Sequence, residues 1–113
     1  MAAQALHILV ADDHAIVRRG LSNLLVANVH GVGVVEVGTC KALQRELAVH
    51  PFDLVLLDLV LPDGNTIDLL PALLQRHPEL RVLMYSMSAE EVYAERAAQL
   101  GAMGFVSKAE NEE

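Results

Sequence analysis

The run Leu54-Val55-Leu56-Leu57-Asp58 decides how the rest of the chain is read, because an uninterrupted apolar segment ends there on a carboxylate. A run this short reads as a strand buried on both faces, the habit of parallel sheets covered by helices. Two further runs end in the same manner. Leu6-His7-Ile8-Leu9-Val10-Ala11 leads into Asp12 and Asp13, and Phe105-Val106-Ser107 leads into Lys108. Ligands of such sheets bind at the carboxyl ends of the strands. The three carboxylates and the ammonium are therefore expected to converge although they are distant in sequence.

The segments between these runs carry helical periodicity. Val17, Leu21, Leu24 and Leu25 recur on one side of a helix, with Arg18, Arg19 and Asn23 on the other. Gly31 to Val37 reads as a second, shorter strand. Leu43 and Leu47 mark a second helix that must stop at His50, the residue before Pro51. Asp53 to Leu57 is the third strand, and Pro62-Asp63-Gly64-Asn65 has the composition of a loop. The third helix is expected to start at an Asp68 N-cap, which would put Pro71 in the first turn, where its missing N–H costs nothing. Leu80 to Tyr85 forms the fourth strand. Ser88 and Glu91 have capping-box spacing for a fourth helix, with Val92, Ala97 and Leu100 facing the core and Gly101 ending it. Ala102 to Ser107 is the fifth strand. Strands alternating with helices imply an α/β fold: a parallel sheet with helices on both faces and right-handed crossovers.

At 113 residues the chain forms one domain, long enough to bury roughly two-thirds of its unfolded surface. No apolar stretch approaches the roughly 20 residues that span a bilayer, and the N-terminus lacks the pattern of a secretory signal. The expected location is cytoplasmic. The single cysteine, Cys40, can form no internal disulfide and reads as a packing residue on a helix. A formal charge of -7 argues against direct contact with a phosphate backbone and favours a cation or a basic protein surface.

Carboxylates held together repel one another unless a cation sits among them. A hard divalent ion such as magnesium suits oxygen ligands and leaves positions open for a phosphoryl group. With the ion and Lys108 neutralising that group, Asp58 can act as a nucleophile and form an acyl phosphate, to which Ser86 offers a hydroxyl.

Together, Asp12-Asp13, Asp53 to Asp58 with Leu61-Pro62-Asp63 behind it, Ser86, and Gly104-Phe105-Val106-Ser107-Lys108 resemble the receiver domain of two-component response regulators. The stretch from Ala11 to Leu21 further resembles the NarL/FixJ class. The resemblance implies a flavodoxin-like (CheY-like) doubly wound sheet of five parallel strands in the order 2-1-3-4-5. Residues 1–113 would be the receiver. A DNA-binding output domain would lie outside the chain, so that DNA is reached only through it. The resemblance also implies phosphorylation on Asp58 by a sensor histidine kinase or phosphotransfer protein. Mg2+ would be held by Asp13, Asp58 and the backbone carbonyl of Val60, with Asp12 acting through water. Ser86 and Lys108 would clasp the phosphoryl oxygens, and Phe105 would be the aromatic that rotates inward as Ser86 moves, changing the surface of the fourth helix and fifth strand.

Four positions depart from that pattern. Thr66 stands where glycine is usual, which predicts a different backbone path for the loop, since threonine tolerates positive φ poorly. Met87 is bulky, and Val60 offers no polar side chain to position a hydrolytic water. Those two predict a long-lived phosphorylated state. Ala109 replaces a common proline, so a cis peptide at that bond would cost about 3 kcal/mol. The tail from Ala109 to Glu113 is too short for a complete fifth helix, leaving that helix truncated or absent and predicting self-association or a rearranged terminus.

Other readings fare worse. A haloacid-dehalogenase-like phosphatase expects a second aspartate where Val60 stands. Gly31-Val32-Gly33 lacks the third glycine of a dinucleotide fingerprint, and no Gly-Lys-Ser/Thr loop occurs. A degenerate receiver is argued against by intact Asp13, Asp58 and Lys108, and a stand-alone receiver that signals by docking is the alternative to transcriptional output. The five histidines show no metal-ligand spacing and are expected at surface or packing positions.

Overall fold

The computed structural model describes residues 6–86 and 91–107, apart from the side chains of 91–94 and 105–107. The elements run β1 (His7–Ala11), α1 (Ala15–Asn28), β2 (Gly33–Val37), α2 (Cys40–Val49), β3 (Leu54–Asp58), β4 (Val60–Leu61), β5 (Gly64–Asn65), α3 (Thr66–Arg76), β6 (Arg81–Ser86), α4 (Glu91–Gln99) and β7 (Gly104–Ser107). Five strands form a parallel sheet in the order β2-β1-β3-β6-β7, while β4 and β5 make a small antiparallel hairpin directly after β3. With that hairpin set aside, the order is the expected 2-1-3-4-5.

Alternation along the strands divides the core into two layers. Leu9, Ala11, Val55, Leu57, Val82 and Met84 face one way and pack with Leu43 and Leu47 of α2, Ile67, Leu70 and Leu73 of α3, and Ala97 of α4. Ile8, Val10, Leu56 and Tyr85 face the other way, against Val17, Leu21 and Leu25 of α1. Ala11 lies opposite Leu57, and Asp58 opposite Tyr85, so the ends of β1, β3 and β6 are level. This alignment gathers the strand-end side chains along one edge.

Three local expectations need correction. Leu24 is 61% exposed, as are much of Ile16 and Val26, so the apolar stripe of α1 that meets the core is the partly buried Val17, Leu21 and Leu25, with Ser22 also buried. The second strand begins at Gly33, because Gly31 adopts φ +75 and turns the chain before pairing starts. Helix α3 begins at Thr66 rather than after Asp68. Asn65 is its N-cap, with its side-chain oxygen accepting the Ile67 N–H at 3.0 Å. Pro71 therefore falls in the second turn, where it cannot bond the Ile67 carbonyl. Burial of Ile67, Leu70 and Leu73 offsets that lost bond.

Gly101 ends α4 with φ +106, as its position after the last apolar residue implied. The Ser88 end of the expected capping box, Met87, and the tail from Lys108 to Glu113 lie outside the described residues.

Candidate functional site

The first strand delivers Asp12 and Asp13 to the sheet edge, and the third delivers Asp58. Ligand atoms of Asp12, Asp13, His14 and Asp58 all lie within 4.8 Å of one another. Asp12 is wholly buried, Asp58 nearly so, and Asp13 is 35% exposed at its side chain. Burying acids this close together is costly unless donors or a cation answer them.

Several donors do. Asp12 Oδ1 accepts the His14 backbone N–H at 2.8 Å and lies 3.1 Å from His14 Nδ1, while Asp12 Oδ2 accepts the Tyr85 hydroxyl at 2.7 Å. Burial, together with the hydrogen bond and charge of Asp12, pushes the Tyr85 pKa well above the ordinary tyrosine value, so the hydroxyl keeps its proton and remains a donor. Arg18 reaches back from α1 to donate to the Asp12 carbonyl at 2.7 Å. Its Nε is held 3.1 Å from Glu36 Oε1 on β2, and Arg19 Nε lies 3.3 Å from the other oxygen of that carboxylate.

His14 is exposed, as expected, yet it also borders the acids. Its Nδ1 lies 3.1 Å from Asp12, 3.3 Å from Asp13 and 4.0 Å from Asp58, so it belongs to the acidic cluster rather than to an indifferent surface. A search for pairs of histidines on one helix could not find it. The available signal was its place directly after the acidic pair, where an N-cap with extended backbone (φ -89, ψ 105) turns the ring toward the strand ends. Sequence periodicity places Tyr85 on a strand and Arg18 on a polar face, and neither position reveals these contacts.

Behind Asp58 the chain is held by Thr66. Its hydroxyl lies 2.7 Å from the Asp58 carbonyl and 2.9 Å from the Leu59 carbonyl, and its N–H donates to Leu59 at 2.9 Å. Thr66 is fully buried as the first residue of α3, and no described non-glycine residue has positive φ. Threonine thus replaces glycine without strain by serving as a side-chain bridge. In the hairpin turn, Asp63 accepts the backbone N–H groups of Cys40 (2.7 Å) and Lys41 (3.1 Å), tying the loop after Asp58 to the N-terminus of α2.

Ser86 is buried at the C-terminal end of β6, beside Ser107 on β7. Val60 is 57% exposed, two residues past Asp58. Phe105 lies on β7, but its side chain, like all of Lys108, is outside the described set. The structure therefore brings Asp12, Asp13 and Asp58 together and puts Ser86 at the same edge of the sheet.

The family model for the response regulator receiver domain matches residues 8–113. The chain is a response regulator receiver domain. This receiver is 40% identical over 102 residues to the DNA-binding transcriptional activator DevR/DosR of Mycobacterium tuberculosis, covering 89% of this chain and 46% of that protein. It is 35% identical to the transcriptional activator protein ExaE of Pseudomonas putida, covering 90% of this chain and 48% of that one. The receiver thus spans about half the length of the curated relatives it matches. Among solved structures, the signal receiver domain of a NarL response regulator from Mycobacterium tuberculosis aligns with TM-score 0.84 and 29% identity, covering 94% of this chain and 86% of that one. RcsB from Salmonella enterica serovar Typhimurium, solved on a promoter with phosphomimetic BeF3-, aligns with TM-score 0.83 and 26% identity, covering 91% and 59%. Among the described residues, no helix is long and apolar enough to cross a membrane.

Proposed function

We propose that this receiver is a phosphorylation-controlled switch in which Asp58 accepts a phosphoryl group from a histidine kinase or phosphotransfer protein. The observation that carries the reading is the convergence of Asp12, Asp13 and Asp58 on one sheet edge. An Asp58 carboxylate oxygen attacks phosphorus, forming the O–P bond of an acyl phosphate. The P–N bond to the donor imidazole breaks, and its electron pair stays on the nitrogen. Hydrolysis later returns the carboxylate and inorganic phosphate.

The residues present fit a magnesium ion. The donor set is rich in hard carboxylate oxygens, and the acids crowd closely enough to favour a cation between them. Asp13, Asp58 and the Val60 carbonyl would hold it. Asp12, with both oxygens already accepting hydrogen bonds, suits contact through water. When bound, the ion supplies positive charge against the phosphoryl oxygens. Asp58 supplies the nucleophile, Ser86 and Lys108 bind those oxygens, and Phe105 follows Ser86 inward, changing the surface of α4 and β7.

Relatives named as transcriptional activators, and the promoter-bound RcsB, support a DNA-binding output domain that reads this surface in a cytoplasmic regulator. The chain's own formal charge of -7 is unsuited to that contact. Self-association of this receiver, expected from its short tail, is a separate part of the proposal: a concentration-dependent dimer in sedimentation velocity supports it, and a strictly monomeric profile rules it out. The central test is incubation with acetyl phosphate and Mg2+, read by intact mass. The native chain gains one phosphoryl group and Asp58→Asn gains none. Equal gain by both would defeat the assignment.

A further inference from the structure

We propose that Tyr85 is a positioning residue for the acidic centre, holding Asp12 with its side chain and the residue after Asp58 with its main chain. The inference rests on the reading of this centre as a magnesium-dependent phosphoacceptor site.

Strand β3 lies between β1 and β6, so those two are about 10 Å apart. A side chain from β6 must cross β3 to reach the end of β1. Tyr85 points to the α1 face of the sheet, as Ile8 and Val10 of β1 do, and the phenol, the Asp12 side chain and the hydrogen bond between them together span the gap. Its hydroxyl arrives 2.7 Å from Asp12 Oδ2. The other oxygen of Asp12 is engaged by His14 through both backbone and ring. The buried carboxylate is thus gripped from two sides, with Oδ1 turned toward His14 and Oδ2 turned toward the phenol.

The main chain of Tyr85 acts on the second acid. Its carbonyl accepts the Leu59 N–H at 2.9 Å, and Tyr85 is the register partner of Asp58. One residue therefore sets the relative placement of the acids from two strands. It also directly precedes Ser86, so displacement of that serine pulls on a residue bonded to Asp12. Phenylalanine fills the same space but removes the hydroxyl that donates to Oδ2, which loosens the hold on the carboxylate. Partners that orient metal-holding groups typically account for about 10–100-fold in affinity.

Magnesium titration by calorimetry tests this with the native chain, Tyr85→Phe, Asp12→Asn and the double variant. Thermal melts without metal report packing separately. Tyr85→Phe is expected to raise the Mg2+ Kd about tenfold or more in a protein that is folded without metal, and to add little once Asp12 is already asparagine. An unchanged Kd, or effects of the two substitutions that simply multiply, would overturn the proposal. Absence of magnesium binding by the native chain would instead remove the site reading itself. Should Tyr85→Phe fail to fold, Tyr85 can be observed directly. The chain has no tryptophan and two tyrosines, so in Tyr93→Phe the emission belongs to Tyr85. Magnesium is expected to change that emission, and an unchanged spectrum at saturating metal would overturn the assignment.

Discussion

The hydroxyl of Thr66 sits 2.7 Å from the backbone carbonyl of Asp58, so the first residue of α3 holds the main chain of that acid from behind. The contact is buried, and it occurs where receivers usually carry a glycine that can bond only through its main chain. Thr66→Val keeps the shape and removes the donor. A loss of about 1–2 kcal/mol in urea unfolding is expected, the cost of a buried polar contact removed on one side. Stability equal to the native chain would show that the contact contributes nothing.

The acids answer to one another through repulsion. With their ligand atoms within 4.8 Å, Asp13→Asn should raise the melting temperature in EDTA and shrink the further rise produced by Mg2+. Removing magnesium from the native chain should also abolish phosphorylation by acetyl phosphate. A variant that melts lower in EDTA yet responds fully to the ion would contradict the like-charge account.

Asp63 gives a pH dependence with a definite sign. Hydrogen bonds from the Cys40 and Lys41 N–H groups hold its carboxyl below the ordinary value of 3.8. A depressed folded-state pKa contributes stability that is present above the unfolded value and is lost as pH falls through the folded one. The melting-temperature gap between native and Asp63→Ala should therefore be full near neutrality and should narrow below pH 3.8. A gap that widens in acid would refute the cap. Burial and the neighbouring Asp63 also push the Cys40 thiol up to about 11, so slow alkylation at neutral pH is expected, faster in Asp63→Ala.

Gly101 resists substitution chiefly through its backbone, with a second contribution from a side-chain end that would have to shift. Its φ of +106 disfavours any side chain, and a Cβ there would stand 2.7 Å from Leu74 Cδ1. Gly101→Ala should lose at least about 1 kcal/mol in denaturant unfolding, since left-handed backbone and overpacking act together. A neutral result would mean that the turn after α4 relaxes freely.

Val60 is exposed two residues beyond Asp58 and carries nothing that can orient water. Val60→Asn should shorten the lifetime of the phosphorylated chain severalfold, measured by the decay of the phosphorylated mass after removal of acetyl phosphate. Met87→Ala should shorten it as well. Lifetimes matching the native chain in both variants would mean that neither side chain limits hydrolysis.

The sheet and the acidic triad were legible because each rests on a short-range pattern: apolar runs fix the strands, and strand ends fix the edge. What escaped depends on where a long side chain goes once the strands are ordered. Tyr85 reaches Asp12 across an intervening strand, and no periodicity encodes that crossing. Histidine spacing does not reveal His14, because its neighbours are the two acids that follow β1 and the one that ends β3. The helix-breaking Pro71 points to a start at Asp68, whereas the Asn65 cap and burial of the helix face set it at Thr66. Leu24 matched the helical repeat, yet α1 buries a narrower stripe than the repeat allows.

Arg18 makes the edge of the sheet audible at its centre. Its guanidinium joins the carbonyl of Asp12 to Glu36 on the outermost strand β2. A charge reversal at Glu36 would therefore take away one of the two anchors of the side chain that holds the Asp12 carbonyl. The border of this small sheet and its acidic corner share a single guanidinium.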